Sequence, residues 1–260
     1  MTEEPVSYRV AGGVASITLN RPAVLNALNT DLAAALAEHA EAAAADRDVT
    51  VVVVRGAGRA FCSGMDRTAL AAGTIGEEFY RHWIHGLNRL EDMPKVTLAV
   101  LHGHSIGGGL QLGLACDLRL ATEDAVLGLG ASRHGIIPDG GVLRLARLVG
   151  LGRAKELALL NDEISPAEAR AIGLINWVCA PAQVDAALAG IVERLHHQAP
   201  TANAHIKRLL HESFHQDPRA MIEDVMAAQR DCMTSWETTE ANQAWREKRE
   251  ATFHPRKTNQ

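Results

Sequence analysis

The chain has 260 residues, 47% of them apolar and 22% charged, with 26 Lys and Arg against 31 Asp and Glu. That composition belongs to a globular protein able to bury a sizeable core, and it excludes a disordered chain. A net charge of -5 with scattered basic residues argues against nucleic acid as a partner, because such binding rests on clustered Lys and Arg.

No apolar run approaches the ~20 residues of a membrane span, and the acidic start MTEEPVSYRV lacks the segments of a secretory signal. A cytoplasmic protein with no membrane partner is expected. Cys62, Cys116, Cys179 and Cys232 are too far apart for a CxxC pair or a zinc cluster, so no metal is expected.

Residues 8–10 and 14–19 flank Gly12-Gly13 and read as a β-hairpin. Asn20-Arg21-Pro22 and residues 23–29 read as a turn before a helix capped by Thr30 or Asp31, with Leu32, Leu36 and Ala40 on its inner face. Residues 49–54 form a continuous apolar strand, as expected where both faces are covered. It runs into residues 56–66, GAGRAFCSGMD, and then a less regular stretch to Gly76. A helix over 77–90 carries Tyr80, Trp83, Ile84 and Leu87 at a spacing that serves a core or a pocket wall equally.

Residues 96–101 are apolar and rich in β-branched side chains; Gly103 and the run Gly107-Gly108-Gly109 follow, then a second apolar stretch, 110–116. The pattern reads as strand, tight turn and buried helix. Glycines at a helix start let backbone approach a ligand closely and leave unpaired N–H groups facing it, which suits a carbonyl oxygen gaining negative charge. Gly103-His104-Ser105-Ile106-Gly107 also matches G-x-S-x-G, the nucleophile elbow of serine hydrolases, with Ser105 as nucleophile and Asp162 and His205 as partners by chain order.

Short strands are expected over 117–122 and 125–129, and a loop and helix over 130–148 that contain Ile137-Pro138-Asp139-Gly140-Gly141. Ser165-Pro166-Ala167-Glu168 is a capping box for a helix ended by Gly173, and 175–178 a last strand. From Pro181 the pattern is helical, with Val184, Leu188, Ile191 and Leu195 on one stripe and further helices over 202–214, 219–235 and 239–250.

The stretches GAGRAFCSGMD and HSIGGGLQLGLACD, with NRP and LNAL upstream, closely resemble the crotonase superfamily, also called the enoyl-CoA hydratase/isomerase family. The resemblance spans nearly the whole chain and is strongest over 20–149. It implies an α/β crotonase, or ClpP-like, fold: a spiral core of repeated ββα units over 1–198, and a C-terminal helical region, 199–260, that builds a homotrimer or hexamer. It implies an acyl-CoA thioester as substrate, with coenzyme A part of that substrate and no separate cofactor. The thioester oxygen would sit between the backbone N–H groups of Met65 and Gly108. Further substrate contacts implied by the resemblance are Ala23, Val24 and Leu25 through their backbone, Ser63, Asp66, Arg67 and Thr68 in the first loop, and His134. Arg59 and Lys95 are further candidates for CoA, and Phe253 with Lys257 for a neighbouring subunit's ligand.

The chain departs from the family's hydratases at two positions. Gln111 and Ala131 stand where those enzymes carry glutamates; Gln111 orients but takes up no proton, and Ala131 has no polar group. Asp139 resembles the single carboxylate of several family isomerases, and a 1,3-proton shift needs only one base beside the two donors. Its place before Gly140-Gly141 equally suits a helix cap. The expectation is an enoyl-CoA isomerase-type reaction carried by Asp139, with Gln111 beside it and His134 as second candidate base. Hydration with atypical residues and a catalytically silent acyl-CoA binder are the alternatives.

Overall fold

A computed structural model describes residues 4–253. The hairpin forms from β1 (Val6–Ala11) and β2 (Val14–Leu19), turning at Gly12 and Gly13 with φ of 57° and 78°, a region glycine enters without strain. A 3-10 turn at Pro22–Val24 precedes α1 (Thr30–Ala45). Neither Thr30 nor Asp31 caps it. Asn29 has the extended backbone of a cap, and its side chain accepts the Leu32 N–H at 3.0 Å.

Then come β3 (Val51–Gly56), α2 (Arg67–Ala71), α3 (Glu77–Asp92), β4 (Val96–Leu101), β5 (His104–Ile106) and α4 (Gly108–Ala115). Next are β6 (Leu118–Thr122), β7 (Val126–Gly128), α5 (Val142–Val149), α6 (Leu151–Leu160), α7 (Pro166–Ala171) and β8 (Trp177–Cys179). The chain closes with α8 (Val184–His196), α9 (Pro200–Glu212), α10 (Ile222–Thr234) and α11 (Trp236–Glu247). Only half of the capping box on α7 forms: Ser165 Oγ accepts the Glu168 N–H, but the Glu168 carboxylate turns to Arg153.

The main sheet runs β1-β2-β3-β4-β6-β8, antiparallel at the hairpin and parallel thereafter, while β5 and β7 pair apart from it. Parallel strands need cover on both faces, and alternate residues supply it. Val52, Val54, Ala99 and Leu101 join the core that holds Leu32, Leu36, Trp83 and Leu87 of α1 and α3. Val51, Val53, Leu98 and Val100 turn the other way, onto Val184, Leu188 and Leu195 of α8.

Two charged groups fasten this frame. Lys95, a candidate for CoA, is instead buried at the C-terminal end of α1, where its ammonium donates to the carbonyls of Ala43 and Asp46. Asp117 accepts the Thr97 N–H at 2.7 Å and pairs with Lys207 of α9 at 2.9 Å, tying the C-terminal helices to β4 and β6. Among the described residues no helix is long and apolar enough to cross a membrane.

Candidate active site

The first loop leaves β3 and returns beside β5, with Cys62 N–H donating to His104 O at 2.9 Å and Ile106 N–H to Cys62 O at 3.0 Å. Three residues on, Leu28 N–H donates to Gly64 O at 2.8 Å and Asp66 N–H to Leu28 O at 2.9 Å. Successive N–H groups of an extended chain point to opposite sides, so Met65 N–H faces away from Leu28. Among the described residues it has no acceptor.

The upstream segment braces this loop. Arg21 holds the Asp66 carboxylate at 3.1 Å, and the Asn26 amide donates to Ala57 O and Ala60 O at 2.9 and 2.8 Å. Asp66 also caps α2 by accepting the N–H groups of Thr68 and Ala69. Burial pushes its pKa up, but these hydrogen bonds and the Arg21 charge outweigh it and hold the carboxyl below its ordinary value.

The second loop carries β5 into α4. Gly107 sits at φ 57° and donates to Gly128 O at 2.9 Å; Gly108 opens the helix, so its N–H lacks an intrahelical acceptor. The glycines serve the contact between loops. A Cβ on Gly109 would lie 2.2 Å from the Cys62 carbonyl oxygen, and one on Gly64 2.9 Å from Ile106 O. At Gly108 a Cβ would meet Leu28 Cδ1 at 2.2 Å, the end of a side chain that would have to give way.

Met65 and Gly108 open onto a cavity of about 360 Å³ whose apolar wall is Leu28, Phe79, Trp83 and Ile136. Gln111, Ala131, His134 and Asp139 line the same cavity. The Gln111 side-chain oxygen is taken by the Gly140 N–H, so only its amide NH2 is left to donate to the Asp139 carboxylate. Asp139 does not cap α5, whose N-cap is Gly141 and which lacks a side-chain cap. Its Oδ2 is shielded from solvent and without a hydrogen-bond partner. Burial raises the Asp139 pKa, with hydrogen bonds from its own loop and from Gln111 offsetting part of the rise.

Helical spacing suits Tyr80 to core or pocket alike; the structure puts it on the cavity wall. Burial and then the charge of Asp139 raise its pKa, so it stays a neutral hydroxyl donor at neutral pH.

Of the other candidates, Ser63, Arg67 and His134 line the cavity, with Arg67 exposed at the rim. Asp66 is a brace, and Thr68 lies exposed on α2. Ala23, Val24 and Leu25 form the 3-10 turn and its left-handed end, where Leu25 O accepts the Ser63 N–H at 3.0 Å. Arg59 is exposed, its carbonyl packed beneath Gly103. Phe253 is buried against Trp236 of its own chain, ring centroids 6.5 Å apart, and Lys257 lies outside the described residues.

Among the described residues no serine triad assembles. Ser105 is fully buried on β5, off the cavity, and its Oγ has no partner. His205 pairs with Asp231 at 2.7 Å, and Asp162 lies by Arg133. The G-x-S-x-G match is a strand followed by a glycine turn, without a nucleophile.

A parallel sheet whose two glycine loops bring unpaired backbone donors to one apolar cavity defines a crotonase-fold protein. A family model described as Enoyl-CoA hydratase/isomerase matches residues 9–256. The chain is 31% identical over 249 residues to the short-chain-enoyl-CoA hydratase of Clostridium acetobutylicum, a match covering 92% of this chain and 94% of that one. Its fold is similar to that of enoyl-CoA hydratase from Bacillus anthracis, with a TM-score of 0.88 at 31% identity over 96% of this chain and 99% of that one. It is equally similar to an enoyl-CoA hydratase/isomerase from Marinobacter aquaeolei, at 0.89 and 28% identity over 97% and 100%. The chain belongs to the enoyl-CoA hydratase/isomerase family, whose members are acyl-CoA enzymes.

Proposed function

We propose that the protein moves a double bond in an enoyl-CoA thioester through an enolate, with Asp139 carrying the proton. One observation carries this reading: among the described residues lining the cavity, Asp139 is the sole carboxylate, and one of its oxygens is buried and unpartnered.

The thioester oxygen accepts the N–H groups of Met65 and Gly108. Asp139 removes a proton from C2 of a 3-enoyl chain, and the electron pair moves onto that oxygen. The same carboxylic acid then returns the proton at C4, leaving a 2-enoyl product, so no water is consumed. Fixed donors aimed at developing charge stabilise such a transition state by roughly 3 kcal/mol each. A raised carboxyl pKa makes Asp139 a better proton acceptor once ionised and a ready donor afterwards.

Exposed Arg67 at the rim suits the phosphates of CoA. Exposed Leu143, Leu159 and Leu160 on α5 and α6, with Met226 and Met233 on α10, support assembly of copies into a trimer or hexamer through residues 199–260 and the neighbouring core.

Hydration is the second reading, favoured by Tyr80, which gives the cavity another proton-bearing group beside Asp139. Incubation with a panel of 2-enoyl and 3-enoyl CoA thioesters separates the two. Double-bond migration without a mass gain, abolished in Asp139→Asn, is the expected result; a gain of water would replace isomerisation with hydration.

A further inference from the structure

We infer that Arg144 is a positioning residue for Asp139 and acts through Gly140; the inference rests on Asp139 as proton carrier. Arg144 lies in the first turn of α5, four residues after Gly140, and is buried. Its guanidinium folds back under the loop: Nη1 donates to Gly140 O at 2.8 Å, and Nη2 to Asn88 Oδ1 at 2.8 Å and to the Glu91 carboxylate. Gly140 is therefore held by both of its backbone groups, its N–H by Gln111 at 2.7 Å and its carbonyl by Arg144.

The residue has no slack in a third direction. A Cβ there would lie 2.3 Å from Leu87 Cδ1 and 2.9 Å from Gln111 Oε1. Asp139 is joined directly to this fixed point; among the described residues its side chain has no ion pair and caps no helix, and its Oδ2 has no hydrogen-bond partner. Removing a guanidinium from water is costly, the more so as the buried Arg144 Nε has no partner among the described residues, and contact between α3 and α5 needs only apolar side chains. The charge is used where it sets the backbone of the proton carrier.

The anchor matters as well. Asn88 and Glu91 belong to α3, the helix that brings Tyr80 and Trp83 to the cavity, so Arg144 registers Asp139 against that wall. Glu91 also faces Arg147 of α5 at 3.9 Å and His211 of α9 at 3.5 Å. The other titratable groups around the Asp139 cavity are Tyr80 on α3, His134 in the preceding loop and Arg67 on α2.

The test uses the full-length protein with hex-3-enoyl-CoA as the probe and compares Arg144→Met, Arg144→Lys, Asp139→Asn and the double variant Arg144→Met/Asp139→Asn. Misplacing a reacting group by about 1 Å costs up to about 100-fold, so Arg144→Met should lose about 10–100-fold in kcat with little change in KM. Its acidic limb in the pH–rate profile should move, Arg144→Lys should recover part of the loss through one retained donor, and the double variant should be no slower than Asp139→Asn. A folded Arg144→Met with unaltered kcat and acidic limb, or a double variant whose losses multiply, would overturn the inference. If Arg144→Met does not fold, Glu91→Gln replaces it, with the same shift expected and an unchanged profile contradicting it. Full turnover by Asp139→Asn would remove the underlying reading and this one together, whereas an inactive Asp139→Asn beside an unaffected Arg144→Met removes this one alone.

Discussion

The side-chain oxygen of Gln111 accepts the Gly140 N–H at 2.7 Å inside the protein, joining the helix after the glycine turn to the loop of Asp139. Gln111→Ala leaves that buried N–H without a partner, which costs about 1–3 kcal/mol. Denaturant unfolding should show a lower midpoint at constant slope, together with slower turnover. An unaltered midpoint would mean that the bond does not hold the loop.

Asp139 sets opposing pH dependences for activity and stability. As a base it must be ionised, so the rate should fall as the pH drops through a value above the ordinary 3.8. Burial raises the folded-state pKa, so between 3.8 and that raised value the folded protein binds more protons than the unfolded chain and stability declines as pH rises. Asp139→Asn, which cannot ionise, should be inactive yet more stable than the parent near neutral pH, with the gap closing in acid. Unfolding titrations across this range check the sign; a variant less stable at neutral pH would contradict it.

Gly108 and Gly109 should respond differently to alanine. The added carbon at Gly109 meets main-chain atoms of Cys62 that cannot move without parting the two loops, whereas at Gly108 it meets the movable end of Leu28. Overpacking of this kind costs about 1–3 kcal/mol, and Gly109→Ala should take the larger share. Thermal melts of the two variants give the order, and the reverse order would show that the loops do not rest on each other as described.

Ser105→Ala should keep full turnover and equal or higher stability. The hydroxyl is buried without a partner, so its removal relieves an unsatisfied polar group. Loss of activity in this variant would reopen the hydrolase alternative.

The chain's own pattern reveals the sheet but only part of the cavity. Val51 to Val54 are apolar on both faces, and the structure covers both, so that strand and its parallel setting are readable. By contrast, β5 lies inside the glycine turn and pairs with Val126–Gly128, some twenty residues on; no local periodicity announces such a partner. Helical spacing cannot tell Tyr80 on the cavity from Leu87 in the core. Lys95 looks like a surface cation until α1 ends against it. Arg144 reads as one more helix charge in GGVLRLARL, because its acceptors, Asn88, Glu91 and Gly140, meet only in the fold. Of the two loops of the candidate site, the glycine run at 107–109 is readable from backbone geometry, whereas the loop ending in Ser63-Gly64-Met65-Asp66 stands out through the family resemblance. The proposed proton chemistry rests chiefly on what stands at Gln111, Ala131 and Asp139.

The most direct test of the account is the fate of deuterium when a 3-enoyl CoA thioester is incubated with the protein in heavy water. Proton transfer through an enolate predicts double-bond migration, with any deuterium confined to C2 and C4 and no mass gain from water, all lost in Asp139→Asn. Migration or exchange that survives in Asp139→Asn, or deuterium entering at a carbon other than C2 and C4, would contradict an enolate served by this carboxylate.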